Sequence, residues 1–357
     1  MTVPHLPFAL TLDTVGVLAG FDSVDIDSDL FTPVNAGIIE GPATQMGVPV
    51  PWELLSRANI AQAMLGPVPV FTGTAVVKTK NKRSGKLTVD LACSAKALVD
   101  CAPPVAFSLP GGTLASIATA LCGSLKVLIA PGASAAVPRT DAISAGKTEP
   151  VWSTLTGLAA QVTPPCHVWC DPLGLVHVEA MTDYYMRPPV DILQCYPPGP
   201  QAAANNILDY TLRDDAGDRY STIIVHGQGS QRALQGNAAT GLLSAPVMGA
   251  FQDPDLTARG VYRPLVIEDG AARNIAQAQA RAVREVMLRR IQGLKIECDV
   301  AGWTTTTGVP WAVTQMVQVN LAEDRIVKPY FIAGRRFTLD KQNGRRTRLT
   351  LIEPGVL

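Results

Sequence analysis

The sequence predicts an α+β protein that is mostly β. Three observations carry this. Apolar and polar residues alternate over many short runs bounded by turn residues. Only a few segments show the 3.6-residue period of a helix. The chain has 357 residues, 47% hydrophobic and 17% charged, enough to bury a large core in two or three domains and too apolar for disorder.

The elements follow in order. Residues 1–104 form a first β-rich region. "SVDIDSDLF" sets Val24, Ile26 and Leu30 against Asp25, Asp27 and Asp29, a strand with one wet face. "VFTGTAVVKTK" and "GKLTVDLAC" make a hairpin around residues 81–85, and "SAKALVDCAPP" ends at Pro103-Pro104. Residues 105–185 change character. Thr113 is placed to cap a helix with Leu114, Ile117, Ala118 and Leu121 on one face. "KVLIA" is a short strand, and Thr148 is placed to cap a second helix carrying Val151, Trp152, Leu155, Leu158 and Ala159. "HVWCDPLGLVHVE" is a hairpin about residues 171–174, completing a small αβ module.

Residues 186–204 hold five prolines and form a strap. Residues 205–357 are a second β-rich region. It opens with a hairpin around Asp215-Ala216-Gly217, and residues 230–259 show no period and are expected as a long loop. A helix is expected over 271–292, with Ile275, Ala278, Ala282 and Val286 on one stripe and Gly293 as its stop. Three strands close the chain. The last two flank Asn343-Gly344. A three-residue loop over 342–344, with Gly344 left-handed, pairs Lys341 with Arg345, Phe337 with Leu349 and Leu339 with Thr347. Arg336, Thr338, Asp340, Arg346 and Arg348 then share the outer face, because a one-residue slip would bury charge.

Lys+Arg and Asp+Glu both number 30, a balance that gives no support for a nucleic-acid or membrane-surface partner. The charge is nevertheless uneven. Residues 1–66 hold one basic and seven acidic residues, and residues 273–357 hold fourteen basic and seven acidic ones. Such ends are suited to meet across copies of the chain. The N-terminus lacks the basic region of a signal peptide, and the most apolar stretch, 109–138, is broken by Gly, Pro and Lys126. Seven cysteines without a secretory signal read as reduced, mostly buried thiols.

Candidate chemistry is sparse. Cys166, Cys170 and His177 share a hairpin face if Asp171 pairs with Gly174, but zinc wants tighter spacing and a fourth ligand. The Asp25-x-Asp27-x-Asp29 spacing lacks the Gly turn and later Glu of a calcium loop. "GQGSQR" (227–232) lacks a following Lys-Ser/Thr. The four histidines (5, 167, 177, 226) and the acid pairs 214–215 and 323–324 assemble no evident catalytic set. Arg281, Arg284, Arg289 and Arg290 fit the wet face of a packed helix. No enzyme activity, cofactor or metal is expected. The rival readings are a tail-associated cell-wall hydrolase and a binding module for zinc or carbohydrate.

Several stretches in order resemble the baseplate hub proteins of Mu-like contractile-tailed phages, fold relatives of the N-terminal part of type VI secretion spike proteins. They are "NNIL", "DRYSTIIVHGQ", "AQAQARAVREVMLRR", the steps Gly302-Trp303 and Gly308 to Trp311, and the Thr347 to Pro354 end. In the first half, Leu98-Val99-Asp100-Cys101-Ala102 stands in for the family's Asp-Leu-Val-Asp-Cys-Ser ending. The resemblance implies two tail-tube-like β-barrel domains per chain, with the αβ module between or inserted. It further implies a homotrimer that joins the hexameric tail tube to a trimeric central spike. The partners implied are the spike, tube or tube-initiator proteins and baseplate wedge proteins, in a virion assembled from subunits made in the host cytoplasm. Arg336, Arg346 and Arg348 are then candidates for an oligomer or partner interface.

Overall fold

The computed structural model describes residues 6–355 apart from 46, 104–106, 110–111, 137, 140–142, 146–148, 161, 163–165, 228–246 and 271. It is mostly β with helices, as the alternating runs predict. The dominant feature is a 13-stranded sheet. Its path starts at Ile207–Asp214 and passes through Leu294–Ala301, Gly344–Ile352 and Ile326–Asp340. It continues through Ser23–Asp29, Ala36–Pro42, Lys86–Cys93, Val68–Asn81, Ile60–Leu65 and Phe8–Leu12 to Gly16–Ala19.

Ile326–Asp340 is the joint. Its first half, Ile326 to Phe331, pairs with Met316–Leu321. Its second half, Gly334 to Leu339, pairs with Ser23–Asp29 from the other end of the sequence. A register shift between Ile332 and Gly334 marks the change of partner, as a bulge that bends a strand should. Ile192–Cys195, from the Pro-rich strap, adds in parallel to Met316–Leu321.

The small αβ module packs Leu114–Ser124 and Val151–Ala159 on a three-stranded sheet of Ile129–Pro131, Val176–Glu179 and His167–Cys170. Thr113 caps the first helix, its hydroxyl accepting from Ser116 N at 3.1 Å. Thr148 lies outside the described residues, and the second helix begins after Pro150.

A second αβ unit departs from expectation. Ile207–Asp214 does not form a hairpin with Thr222–Gly227. The former pairs with Leu294–Ala301, a strand the pattern did not single out, and the latter with Met248–Gln252 and Pro264–Asp269. The turn after Asp214 therefore ends one sheet and starts another. Arg219 anchors the change: it is 1% exposed and donates three bonds to Asp253 at 2.8–3.0 Å. The expected loop 230–259 lies outside the described residues up to 246, but beyond them it holds that strand and a short helix, Pro254–Ala258. Asp253 caps this helix and Pro254 occupies its first turn, a start signal with no periodic run behind it.

The long helix is Ile275–Gly293, not 271–292. Asn274 caps it, accepting from Gln277 N at 2.9 Å. Gly293 is a packing position and no left-handed stop, since a Cβ there would lie 2.3 Å from Asp215 O. Ala278, Ala282 and Val286 meet Ile223 and Val225 across the sheet face.

Candidate interaction face

The terminal hairpin has the expected faces in a different register. Asp340 pairs with Gly344, Leu339 with Arg345 and Phe337 with Thr347, so the loop is Lys341 to Asn343. Asp340 sets this length: its Oδ1 accepts from Gln342 N at 2.8 Å and Asn343 N at 2.6 Å. Gly344 is left-handed, at φ +67°. Phe337, Thr347 and Leu349 are fully buried, while Arg336 and Arg348 point outward.

Cross-strand register arranges the outer charges in rows. Asp209, Asp299, Arg348, Arg336 and Asp27 lie opposite one another across five strands. Two arginines side by side repel, and each turns away to an acid. Arg348 donates to both oxygens of Asp299, at 2.8 and 2.9 Å. Arg336 reaches diagonally to Asp25, with Nε to Oδ1 at 2.7 Å. These hydrogen bonds raise the pKa of both guanidinium groups. Lys341 meets Asp22 at 3.2 Å. Part of the acidic-to-basic attraction expected between chains is therefore met within one chain. Asp27 has its pKa raised by burial and by Asp29. Arg346 sits in the adjacent row opposite Thr338, and its guanidinium has no ion pair among the described residues.

Two further arginines face inward and were not expected there. Arg335 is 2% exposed and lies 4.1 Å over the Phe337 ring. Among the described residues its donors reach only Val70 O at 3.3 Å and Trp311 O at 3.5 Å, and burial pushes its pKa down to about 10. Arg345 lies 4.6 Å over Trp303. The alternation already put both on the Phe337 face; the weight given to charge hid them. The Gly302-Trp303 step ties the hairpin down. Trp303 Nε1 donates to Thr338 O and Arg346 O at 3.0 and 3.1 Å, and its ring packs between Phe8 and Phe337.

The residues weighed for chemistry do not converge. In the hairpin after residue 166, Asp171 bonds Leu175, and Trp169 pairs with His177. This slip from the expected register puts His177 on the face opposite Cys170. Asp171 again sets the loop, its Oδ1 accepting from Leu173 N and Leu175 N at 2.9 Å. His177 stacks on Trp169 and bonds Asp171 at 2.9 Å and Glu179 at 3.1 Å. Burial opposes its charged form, but these two acids outweigh burial and push the pKa up to about 9. Of the acid pairs, Asp324 accepts from Tyr210 and Asp215 from Arg213, both at 2.7 Å. Arg281 and Arg289 flank Glu285 on the long helix. Residues 228–232 of "GQGSQR" lie outside the described residues. A cleft of about 600 Å³ under the strap has its main polar groups used internally: Asp191 accepts from Thr306, and Asn206 from Gln194 N.

Residues 289–356, which include this hairpin, match the family "NMB1110-like tail protein, C-terminal domain". Over 147 residues the chain is 26% identical to the baseplate hub protein gp44 of Escherichia phage Mu. The chain is a homologue of that hub protein. The match spans 41% of this chain and 38% of the length of the Mu protein. The whole fold matches the crystal structure of a tail protein from Neisseria meningitidis MC58, with TM-score 0.80 and 23% identity, over 99% of this chain and 98% of that one. It also matches the 43 kDa tail protein of prophage MuSo2 from Shewanella oneidensis, at 0.76 and 17%, over 98% and 99%. The same fold extends to an E. coli component of the type VI secretion system, at 0.56 and 8%, over 96% and 76%. The residues matched by the family include the hairpin that carries the outer arginines.

Proposed function

We propose that this chain is a baseplate hub subunit of a contractile phage-type tail. Three copies form a ring that joins the hexameric tail tube to a trimeric central spike, with baseplate wedge proteins outside it. The observation that carries this reading is the homology to the Mu hub protein. The full-length fold match to phage tail proteins supports it. In this reading residues 1–104 and 205–357 are two tube-like units, 105–185 is a module between them and 186–204 a strap. Three chains with two such units offer six near-equivalent positions to a six-fold tube. The role is architectural and non-enzymatic, within the virion, after synthesis in the host cytoplasm.

Arg346 is the first candidate for the contact with the next copy or partner, because Arg336 and Arg348 are already clamped to Asp25 and Asp299. An arginine fork with no ion pair among the described residues is suited to a carboxylate across an interface. Electron microscopy of the purified protein, alone and with tube and spike proteins, tests the reading. A ring with three-fold symmetry is expected; one, two or six copies per reconstituted baseplate would refute it. Purified protein should also leave peptidoglycan uncut.

A further inference from the structure

Asn35 ties the first β region to the αβ module. Its carbonyl accepts from Cys93 N at 2.9 Å, and its Nδ2 donates to Cys170 O at 2.8 Å. Cys93 ends the strand Lys86–Cys93, and Cys170 ends His167–Cys170. The two thiols lie near enough for each to bear on the other's proton. Beside them the Ser94 hydroxyl donates to Gly174 O at 2.5 Å and lies 3.6 Å from Cys170 Sγ. Both cysteines are buried, at 1% and 4% exposure, and both are free thiols. Two strands that share no sheet thus deliver their terminal sulfurs to one place.

We propose that Cys93 and Cys170 are a latent disulfide pair, closed by hydrogen peroxide, that fastens the hairpin 167–179 to the first β region. The environment divides the roles. The Cys170 thiol, with backbone N–H groups of Ala95, Asn35 and Lys96, favours the Cys93 thiolate against burial. Cys170 is held protonated by Cys93 and by burial. Cys93 sulfur attacks a peroxide oxygen: an S–O bond forms, the O–O bond breaks, and the departing hydroxide takes a proton to become water. Cys170 sulfur then attacks the sulfenic sulfur: the S–S bond forms, the S–O bond breaks, and a second water leaves with the Cys170 proton. The thiols lose two electrons and the peroxide gains them. Because both sulfurs are buried, the rate should follow opening of the hairpin.

The test uses the full chain. After peroxide treatment the protein is unfolded, blocked with N-ethylmaleimide and digested without reductant. A peptide pair joining Cys93 to Cys170 is expected, with a melting temperature several degrees higher that dithiothreitol reverses. Cys93→Ser should lose both effects. Recovery of both cysteines alkylated, overoxidised or joined to other partners would overturn the pairing. A 93–170 link with an unchanged or lower melting temperature would overturn the fastening role. The peptide map of the unmutated protein decides the pairing even where the variant does not fold.

Discussion

At the scale of single residues, charge and conformation can be separated. Gly344 is left-handed, and no atom lies within 4 Å of where its Cβ would be. Gly344→Val should therefore cost about 1–3 kcal/mol from backbone strain alone. Gly344→Asn, which tolerates that conformation, should cost clearly less. Thermal melting of the two variants checks this; equal losses would point to some other cause. Arg335 gives the opposite expectation. Its long, incomplete hydrogen bonds repay little of the cost of burying a cation. Arg335→Met should keep or raise the melting temperature, whereas Phe337→Ala beneath it should cost about 3–5 kcal/mol. His177 supplies a pH dependence. Its pKa is raised to about 9 in the folded chain, from an ordinary 6.5. Its contribution is therefore complete below about pH 6.5 and is lost as pH rises through 9. A stability profile of His177→Gln should run parallel to the parent above pH 9 and fall below it at pH 6.

At the scale of elements, legibility tracked locality. The face of the terminal hairpin, the helix capped by Thr113 and the alternation of Val24 and Ile26 were all readable, because each depends on neighbours in sequence. In the hairpins after residues 166 and 326 loop length was not legible, and for one reason. Asp171 and Asp340 fold their carboxylates back onto backbone N–H groups two to four residues on, which a count of turn residues does not register. Asp340→Ala should therefore loosen the closing hairpin, because the Gln342 and Asn343 amides lose a shared charged acceptor. Hydrogen exchange of the Gln342 and Asn343 amides would show it directly. Partner choice failed where it was non-local. Nothing in "ILDYTLRD" says that it will pair with "LKIECDVA" rather than with the run that follows its own turn. The candidate site was half legible: the outward arginines were, but the aspartates that hold two of them were not.

At the scale of the whole molecule, the assembly prediction falls on Arg346. Arg346→Glu should weaken ring formation several-fold while lowering the melting temperature of the free chain less than Arg348→Glu does, since Arg346 has no ion pair among the described residues and only a longer-range attraction to Asp340. Arg348→Glu should lower both, because Asp299 would then face like charge. Sedimentation at several concentrations separates these outcomes. An Arg346→Glu chain that assembles as the parent does would remove this residue from the contact.

The joint strand also sets an order of events in time. On one edge Ile26 pairs with nearby Gly37, but on the other its partner is Phe337, and Arg336 reaches back 311 residues to Asp25. A ribosome adding about 5–20 residues per second needs roughly 15–60 s to cover that distance. Throughout that interval Ser23–Asp29 has one edge without its strand, and the alternating aspartates along it are the guard against pairing with another nascent chain. Asp25, which later receives Arg336, thus serves first with its neighbours as a keeper of solubility, and the newborn first half waits on the last hairpin to be finished.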